Sequence, residues 1–294
     1  MLRSVYKRCS FLGVLALLFS MSCACGQDGS FNLQRNIVYG KGGGVPLYLD
    51  LATPAVGKGP FPLVVCIHGG AWRMGNKNAY LGWVKDLAKH GYVAATVAYR
   101  FCPKHPFPAQ VEDVKCAVRF LRANARRFKI DPTRVAAMGS SAGGHLSLML
   151  GLMDPKDGLE GQGGSPGISS KVQAVVNYYG PADFTKVDMW SPIQVKLVSD
   201  FLATQNANAP IVAQASPITY VNKGDPPVLT LQGTKDPLVP LPGAQRLHAA
   251  LKAAGVPEHL EIIQGAGHGF RGEAKKRTTA LTMAFLEKEL KGKR

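Results

Sequence analysis

The sequence predicts an α/β fold with a mostly parallel central sheet and helices on both faces. Short apolar runs, typical of buried parallel strands, recur along the chain and alternate with helical segments of about 10 to 20 residues. Apolar residues make up 46% of the 294 positions, which is enough for one large core. Since no internal repeat or second domain boundary is visible, we expect one domain over residues 27–294.

The first 26 residues have the layout of a secretory signal peptide. Basic residues precede the apolar run 11–21, and small residues follow it. Small residues at the third and first positions before the junction favour cleavage after Gly26, which predicts a secreted or periplasmic protein. Lipid attachment at Cys23 or Cys25 is disfavoured because neither has a leucine three positions earlier. The run is short for a bilayer span, so no stable membrane insertion is expected after cleavage.

Two antiparallel strands are expected at the start of the domain. These strands are expected at 36–39 and 47–51, on either side of a glycine-rich turn. Parallel strands follow at 62–68 and 91–99, where apolar residues are nearly continuous. A helix at 79–89 connects these two strands, which makes this part of the chain a β-α-β unit.

Apolar residues spaced three and four apart then mark an amphipathic helix between Pro108 and Phe128. Asp131 and Pro132 end it, and a strand at 134–138 runs through a glycine-containing turn into an apolar helix at 142–153. The remaining regular elements alternate in the same way, with strands at 172–178, 227–232 and 259–264 and helices at 241–254 and 273–290.

One stretch, residues 184–221, fits neither a strand nor a single helix. Its position between two predicted strands favours a small helical insert over the functional edge of the sheet. Ordinary packing at the periphery is the alternative that the sequence leaves open.

The turn Gly139-Ser-Ser-Ala-Gly143 has the form Gly-x-Ser-x-Gly between a predicted strand and a predicted helix. Such a turn holds its serine in strained backbone geometry with the hydroxyl above the sheet, and the glycines permit close packing. Ser140 does not fit the pattern because Met138 would occupy the first glycine position. Ser141 is therefore the predicted nucleophile.

A second motif, His68-Gly-Gly-Ala-Trp72, directly follows the first long buried strand. Glycine-rich backbone of this kind can turn its N–H groups toward the serine and stabilise an oxyanion. The N–H of Ala142 should complete this oxyanion hole from the other side. His68 is interpreted as a structural residue, because in this arrangement the base comes last in chain order.

A serine nucleophile needs a histidine base, and seven histidines compete for that role. His268 alone lies in a glycine loop just after the last predicted strand, so we predict it to be the base. The other five histidines besides His68 are assigned elsewhere: His145 to packing at a helix start, His90 and His248 to helix surfaces, His105 to a loop and His259 to the far end of a strand.

Asp236 is the predicted acid that orients the histidine. It follows a buried strand and precedes His268 by 32 residues, which gives the chain order Ser, Asp, His. Asp225 lies at the wrong end of its strand, Asp113 is expected to anchor a helix, and Asp183 could support the site from outside the triad.

At these motifs the sequence resembles the hormone-sensitive-lipase-like branch of the α/β-hydrolases and, within it, the bifunctional feruloyl and acetylxylan esterases. The resemblance covers roughly residues 36–290 and rests on His68–Gly75, Tyr99-Arg100 with Pro106–Asp113, Ile130–Pro132, Gly139–His145, Gly233–Asp236 and Gly267–Phe270.

The resemblance implies hydrolysis of short acyl or aryl esters through an acyl-enzyme, without a cofactor or a metal. It also implies that Gly70, Ala71 and Ala142 donate to the oxyanion. Many relatives have a third glycine where Ala71 stands, but only a backbone N–H is required there.

The leading hypothesis is a secreted serine carboxylesterase whose substrate is a small ester or an acylated plant polysaccharide. A broad short-chain esterase or lipase is the rival within ester hydrolysis. An arylformamidase-like amide hydrolase shares the His-Gly-Gly-x-Trp loop, but the leader argues against it. A carbohydrate-binding pseudo-hydrolase would ordinarily lack at least one of the three catalytic residues, and a related peptidase would need a companion domain.

The net charge of +16 falls to +13 without residues 1–26, which carry three basic residues and no acidic one. No helix-turn-helix, aromatic-interleaved basic stripe or zinc-ligand spacing accompanies the basic residues, which argues against nucleic-acid binding. A solvated basic face and attraction to an acidic polysaccharide or an anionic surface both remain open.

Three cysteines lie outside the leader. Cys66, in an apolar strand, is interpreted as a small core residue. Cys102 and Cys116 could pair in an oxidising compartment, and the sequence leaves this disulfide open.

Overall fold

A computed structural model describes residues 31–186 and 190–292, so the predicted signal peptide lies outside the described residues. Eight strands form a single sheet in the order β1-β2-β4-β3-β5-β6-β7-β8. Their bounds are β1 Phe31–Gly42, β2 Val45–Pro54, β3 Phe61–Ile67, β4 Val93–Val97, β5 Ile130–Ser140, β6 Ala174–Tyr178, β7 Val228–Gly233 and β8 Glu258–Ile263. β2 pairs antiparallel with β1 and β4, whereas the strands from β4 to β8 in the sheet are parallel.

Helices cover both faces of this sheet. Their bounds are α1 Leu81–Lys89, α2 Ala109–Ala123, α3 Ala125–Phe128, α4 Ala142–Leu152, α5 Pro192–Leu202, α6 Pro210–Gln214, α7 Leu241–Ala253 and α8 Gly272–Leu290. Short 3₁₀ turns add to them at Lys77–Tyr80, Pro155–Asp157 and Pro217–Tyr220. Since neighbouring strand residues point to opposite faces, Val65 and Ile67 pack in the core with α2 and α4, while Val64 and Cys66 pack with α1 and α8.

The predicted fold class is confirmed, and the differences concern element ends. The first hairpin is longer than its apolar pattern indicated, because backbone pairing extends from Phe31 opposite Pro54 to Gly42 opposite Val45. Most of β1 is exposed or half-buried, so its outer residues carry no apolar alternation. The helix predicted between Pro108 and Phe128 is divided at Asn124 into α2 and α3.

The insert between β6 and β7 is helical, as predicted. It contains α5, α6 and the last 3₁₀ turn. Val198, Phe201 and Val212 from this segment are buried in the main core. The insert is thus anchored to the domain by apolar contacts along its length.

All three cysteines of the described chain are free, buried thiols. The Sγ of Cys116 donates to the carbonyl of Tyr39 at 3.8 Å, and that of Cys102 to the carbonyl of Ala71 at 3.9 Å. Burial raises the pKa of each of these thiols. The structure therefore contains no Cys102–Cys116 disulfide.

Among the described residues, no helix is both long enough and apolar enough to cross a bilayer.

Candidate active site

The candidate site lies where the parallel strands end. The loop that begins at His68 follows β3, and Ser141 follows β5. Asp236 comes three residues after β7, and His268 lies in the loop after β8. Because the carboxyl ends of parallel strands meet at one edge of a sheet, these four separate segments of sequence converge there.

Ser141 has a backbone conformation that residues with a side chain rarely adopt. Its φ is +55° and its ψ is −122°, and its N–H donates to the carbonyl of Tyr178 at 2.9 Å. A Cβ on Gly139 would lie 2.3 Å from the carbonyl oxygen of Gly143, and one on Gly143 would lie 2.0 Å from that of Ile67. The two glycines of the motif are therefore sterically required by the tight turn around Ser141.

His268 and Asp236 form a hydrogen-bonded pair. Nδ1 of His268 lies 2.9 Å from Oδ2 of Asp236. The carboxylate also accepts the N–H groups of Leu238 and Val239 at 2.8 and 2.9 Å, and the amide of Gln232 at 3.2 Å. Burial acts to raise the pKa of Asp236, but the bond from His268 and these N–H donors outweigh it and hold the pKa below its usual value. An ionised Asp236 fixes the proton on Nδ1 and leaves Nε2 of His268 as an acceptor.

The loop after β3 has three consecutive residues with positive φ: Gly70 at +120°, Ala71 at +50° and Trp72 at +56°. This run folds the loop back beside the serine, so that Gly70 and Ala71 line the same cavity as Ser141. Ala142 is the first residue of α4. Its N–H is one of the four at a helix start that have no partner within the helix.

His68 fixes the start of this loop. Its Nδ1–H donates to the Gly69 carbonyl at 2.7 Å, its ring stacks on Tyr99 at 4.5 Å, and the Tyr99 hydroxyl donates to the His68 carbonyl at 2.9 Å. A Cβ on Gly75 would lie 2.4 Å from the His68 ring. Burial lowers the pKa of His68, which favours the neutral form of this closely packed imidazole.

His145 links the loop, the helix after Ser141 and the insert. The indole N–H of Trp72 donates to Nδ1 of His145 at 3.1 Å, and Nε2–H of His145 donates to the carbonyl of Ala215 at 2.8 Å. His145 is fully buried, and burial lowers its pKa to about 4. Because a protonated ring could not accept from Trp72, the bridge exists only with neutral His145.

We expect His145 to make the protein less stable as pH falls from about 6.5 to about 4. In that window the unfolded chain binds a proton on this residue and the folded state does not, which costs up to about 3 kcal/mol of unfolding free energy. The measurement is urea unfolding of wild type, His145→Gln and the exposed control His90→Gln at several pH values. The assignment is wrong if His145→Gln retains the full pH dependence of the wild type.

The cavity at the site has a volume of about 360 Å³. Beside Ser141, His268, Gly70 and Ala71, its walls include residues that the sequence reading did not single out: Tyr179, Trp190, Gln194, Val198 and Leu238. Trp190, Gln194 and Val198 belong to the insert, so the predicted placement of this segment over the site is confirmed.

Two of the unpredicted wall residues contact His268 or the loop that carries Asp236. The ring of Tyr179 lies 4.7 Å from that of His268, and its φ is +42°. Gln194 donates to the carbonyl of Pro237 at 3.1 Å, which ties α5 to the loop that carries Asp236. Tyr179 directly follows β6, so the rule that strand ends meet at one edge could have found it. Nothing local in the sequence identifies Gln194.

The rival carboxylates have other partners. Asp113 binds Arg100, and Asp183 binds Arg246 at 2.9 Å. Asp225 accepts the N–H of Asn222 at 2.8 Å. None of these carboxylates lines the cavity that contains Ser141.

The interpretation of His248 as a surface residue was wrong. Its side chain is buried and contacts the Glu258 carboxylate on the neighbouring edge strand. The helix pattern placed it on a flank, but β8 covers that flank in the folded chain. His90 is exposed, as expected, and His105 is half-buried. His259 lies near the start of β8, as predicted, and is exposed.

Within residues 31–186 and 190–292, no group of three or more histidine, cysteine, aspartate and glutamate side chains is arranged to hold a metal ion.

Comparison with known proteins places this chain in a family. The BD-FAE family model matches residues 49–251. Esterase LipC of Mycobacterium tuberculosis is 35% identical over 223 residues, which cover 72% of this chain and 53% of that protein. The probable carboxylic ester hydrolase LipM of the same organism is 35% identical over 235 residues, which cover 76% of this chain and 53% of that protein. The chain thus spans about half the length of these curated relatives.

Solved esterase structures superpose on nearly the whole of this chain. A truncated carbohydrate esterase from gut microbiota superposes with a TM-score of 0.77 and 27% identity, covering 89% of this chain and 98% of that one. Propionate-bound esterase Est2 of Thermogutta terrifontis superposes with a TM-score of 0.75 and 28% identity, covering 88% of this chain and 94% of that one. The sheet order, the serine turn and these matches together show that the chain belongs to the BD-FAE family of hormone-sensitive-lipase-like α/β-hydrolases.

Proposed function

We propose that this chain is a serine carboxylesterase that hydrolyses short acyl or aryl esters through an acyl-enzyme. The observation that carries the proposal is the set of residues that line one cavity. Its walls contain Ser141 in strained geometry, the positive-φ loop at Gly70 and Ala71, and His268, which Asp236 holds through Nδ1. The named esterase relatives support the same chemistry.

In the first half-reaction the Ser141 hydroxyl attacks the ester carbonyl carbon. The proton of Oγ passes to Nε2 of His268, and the electron pair of the carbonyl bond moves onto the carbonyl oxygen. When that pair returns, the bond to the alcohol oxygen breaks and Nε2 protonates the leaving alcohol. Water then repeats the sequence on the acyl-enzyme, with His268 again as base, and releases the acid and Ser141.

The charge that develops on the carbonyl oxygen needs donors that are already in position. We assign them to the backbone N–H groups of Gly70, Ala71 and Ala142. Each such donor lowers the activation barrier by about 3 kcal/mol in comparable hydrolases. Because these are main-chain groups, Ala71 serves as well as the glycine that many relatives have there.

The substrate we propose first is an acetyl or feruloyl ester of plant polysaccharide. It is supported by the resemblance in sequence and by a structural neighbour described as a carbohydrate esterase. A broad short-chain esterase is the second candidate, and the apolar walls at Trp190, Val198 and Leu238 favour it. Neither candidate requires a cofactor.

We also propose that residues 1–26 are removed and that the mature chain, 27–294, is a single secreted or periplasmic domain. The basic, apolar and small-residue order of the leader supports this. Amino-terminal sequencing of the exported protein should begin at Gln27. An intact or lipid-bearing amino terminus would contradict it.

The function is tested by incubating the chain 27–294 with p-nitrophenyl acetate and butyrate, acetylated xylan and methyl ferulate. We expect turnover of the small aryl esters, and release of acetate or ferulate if polysaccharide esters are the substrate. Turnover of the aryl esters alone would leave the broad esterase. If the chain hydrolysed none of the four substrates, the proposed activity would be contradicted and a binding protein on a hydrolase scaffold would be favoured.

A further inference from the structure

A second apolar compartment adjoins the active-site cavity beneath the insert. Its volume is about 250 Å³, and its walls are contributed by Phe184, by α5 and by the segment leading into α6. Trp190 and Val198 line both spaces, so these two side chains form the partition between them. The described walls contain no charged residue, which suits an alkyl group better than a sugar or a phosphate.

The position of the compartment indicates which part of an ester it can receive. His268 must protonate the leaving oxygen, so the alcohol lies on the His268 side of the cavity. No described residue of the loops that carry His268 and Asp236 lines the second compartment, whereas its wall residue Phe184 contacts the loop after β3. Trp72 of that loop packs on Phe184 at 5.8 Å and on Phe201 of α5 at 4.2 Å. A chain attached to the acyl carbon therefore points toward the partition.

We propose that this compartment is a distal acyl subsite, which receives the end of a medium-length, saturated acyl chain. The inference rests on the proposed esterase function and extends it from short to medium acyl groups. Each methylene that leaves water for an apolar site gains about fourfold in kcat/KM when the transition state buries it. For acyl chains that reach past Val198, kcat/KM should rise by this factor for each added methylene. The compartment should not affect kcat/KM for acetyl esters.

The test compares kcat/KM for p-nitrophenyl acetate, butyrate, hexanoate and octanoate. Ser199→Phe fills the compartment from α5, at a residue that does not itself line the active-site cavity. We expect it to lower the octanoate-to-acetate ratio by about tenfold or more. Ile193→Phe is the matched control, because Ile193 lies on the same helix but is 69% exposed. Its ratio should equal that of the wild type.

Ala207→Phe fills the same space from the next segment and keeps the test decisive if Ser199→Phe fails to fold. The subsite is overturned if a folded filling variant keeps the wild-type ratio, or if the wild type hydrolyses acetate and rejects octanoate. Absence of hydrolysis of all four esters by wild type would instead overturn the esterase function itself. The two failures are thus distinguishable in one experiment.

Discussion

Ser141→Ala is expected to lower kcat for p-nitrophenyl acetate by about four to six orders of magnitude. Without the hydroxyl no acyl-enzyme forms, and only the oxyanion donors and substrate positioning remain to assist direct attack by water. The fold should persist, because alanine removes one oxygen from a residue whose backbone is fixed by Gly139 and Gly143. Steady-state kinetics and thermal unfolding of the same preparation measure both effects.

Ser140→Ala is the matched control for this substitution. The two serines are adjacent, both line the cavity, and the Ser140 hydroxyl interacts with the phenols of Tyr80 and Tyr179. We expect Ser140→Ala to lose no more than about tenfold, as for a polar contact outside the reacting atoms. The opposite result, a mild Ser141 variant and an inactive Ser140 variant, would show that the nucleophile is misassigned.

The fold could be predicted from the sequence because its constraints are local. Nearly continuous apolar runs mark buried strands, and glycines mark turns where a Cβ has no room. Gly143 shows this directly, since a Cβ there would lie 2.0 Å from a carbonyl oxygen of β3. Once strands and turns were in order, the convergence of Ser141, Asp236 and His268 followed from the geometry of a parallel sheet.

The remaining site features depend on contacts between distant segments. The bridge through His145 joins Trp72, 73 positions away, to Ala215, 70 positions away. The sequence indicated only that His145 packs near a helix start. Gln194 and Trp190 lie in the segment with the weakest periodicity, so their place in the cavity wall depends on how the insert packs. The burial of His248 was missed because the edge strand β8 covers that flank of α7 only in the folded sheet.

Asp236→Asn should lower kcat by about four orders of magnitude while changing KM little. The amide cannot supply the negative charge that fixes the proton on Nδ1 and stabilises the imidazolium. Its NH₂ group, turned toward His268, would favour the tautomer whose Nε2 already carries a proton and cannot accept one from Ser141. The N–H groups of Leu238 and Val239 still have an amide oxygen to bind, so the loop should keep its shape.

Asp183→Asn provides the comparison that separates catalysis from folding. Asp183 is also a buried carboxylate near the insert, but its partner is Arg246 at 2.9 Å and it does not line the cavity. Losing half of that ion pair should cost stability, because Arg246 keeps its charge, and should leave kcat within a few-fold of wild type. Both proteins should be assayed well below their melting temperatures, with circular dichroism to verify folding. If the Asp236 variant retained kcat, or if both variants lost it equally, Asp236 could not be the residue that orients His268.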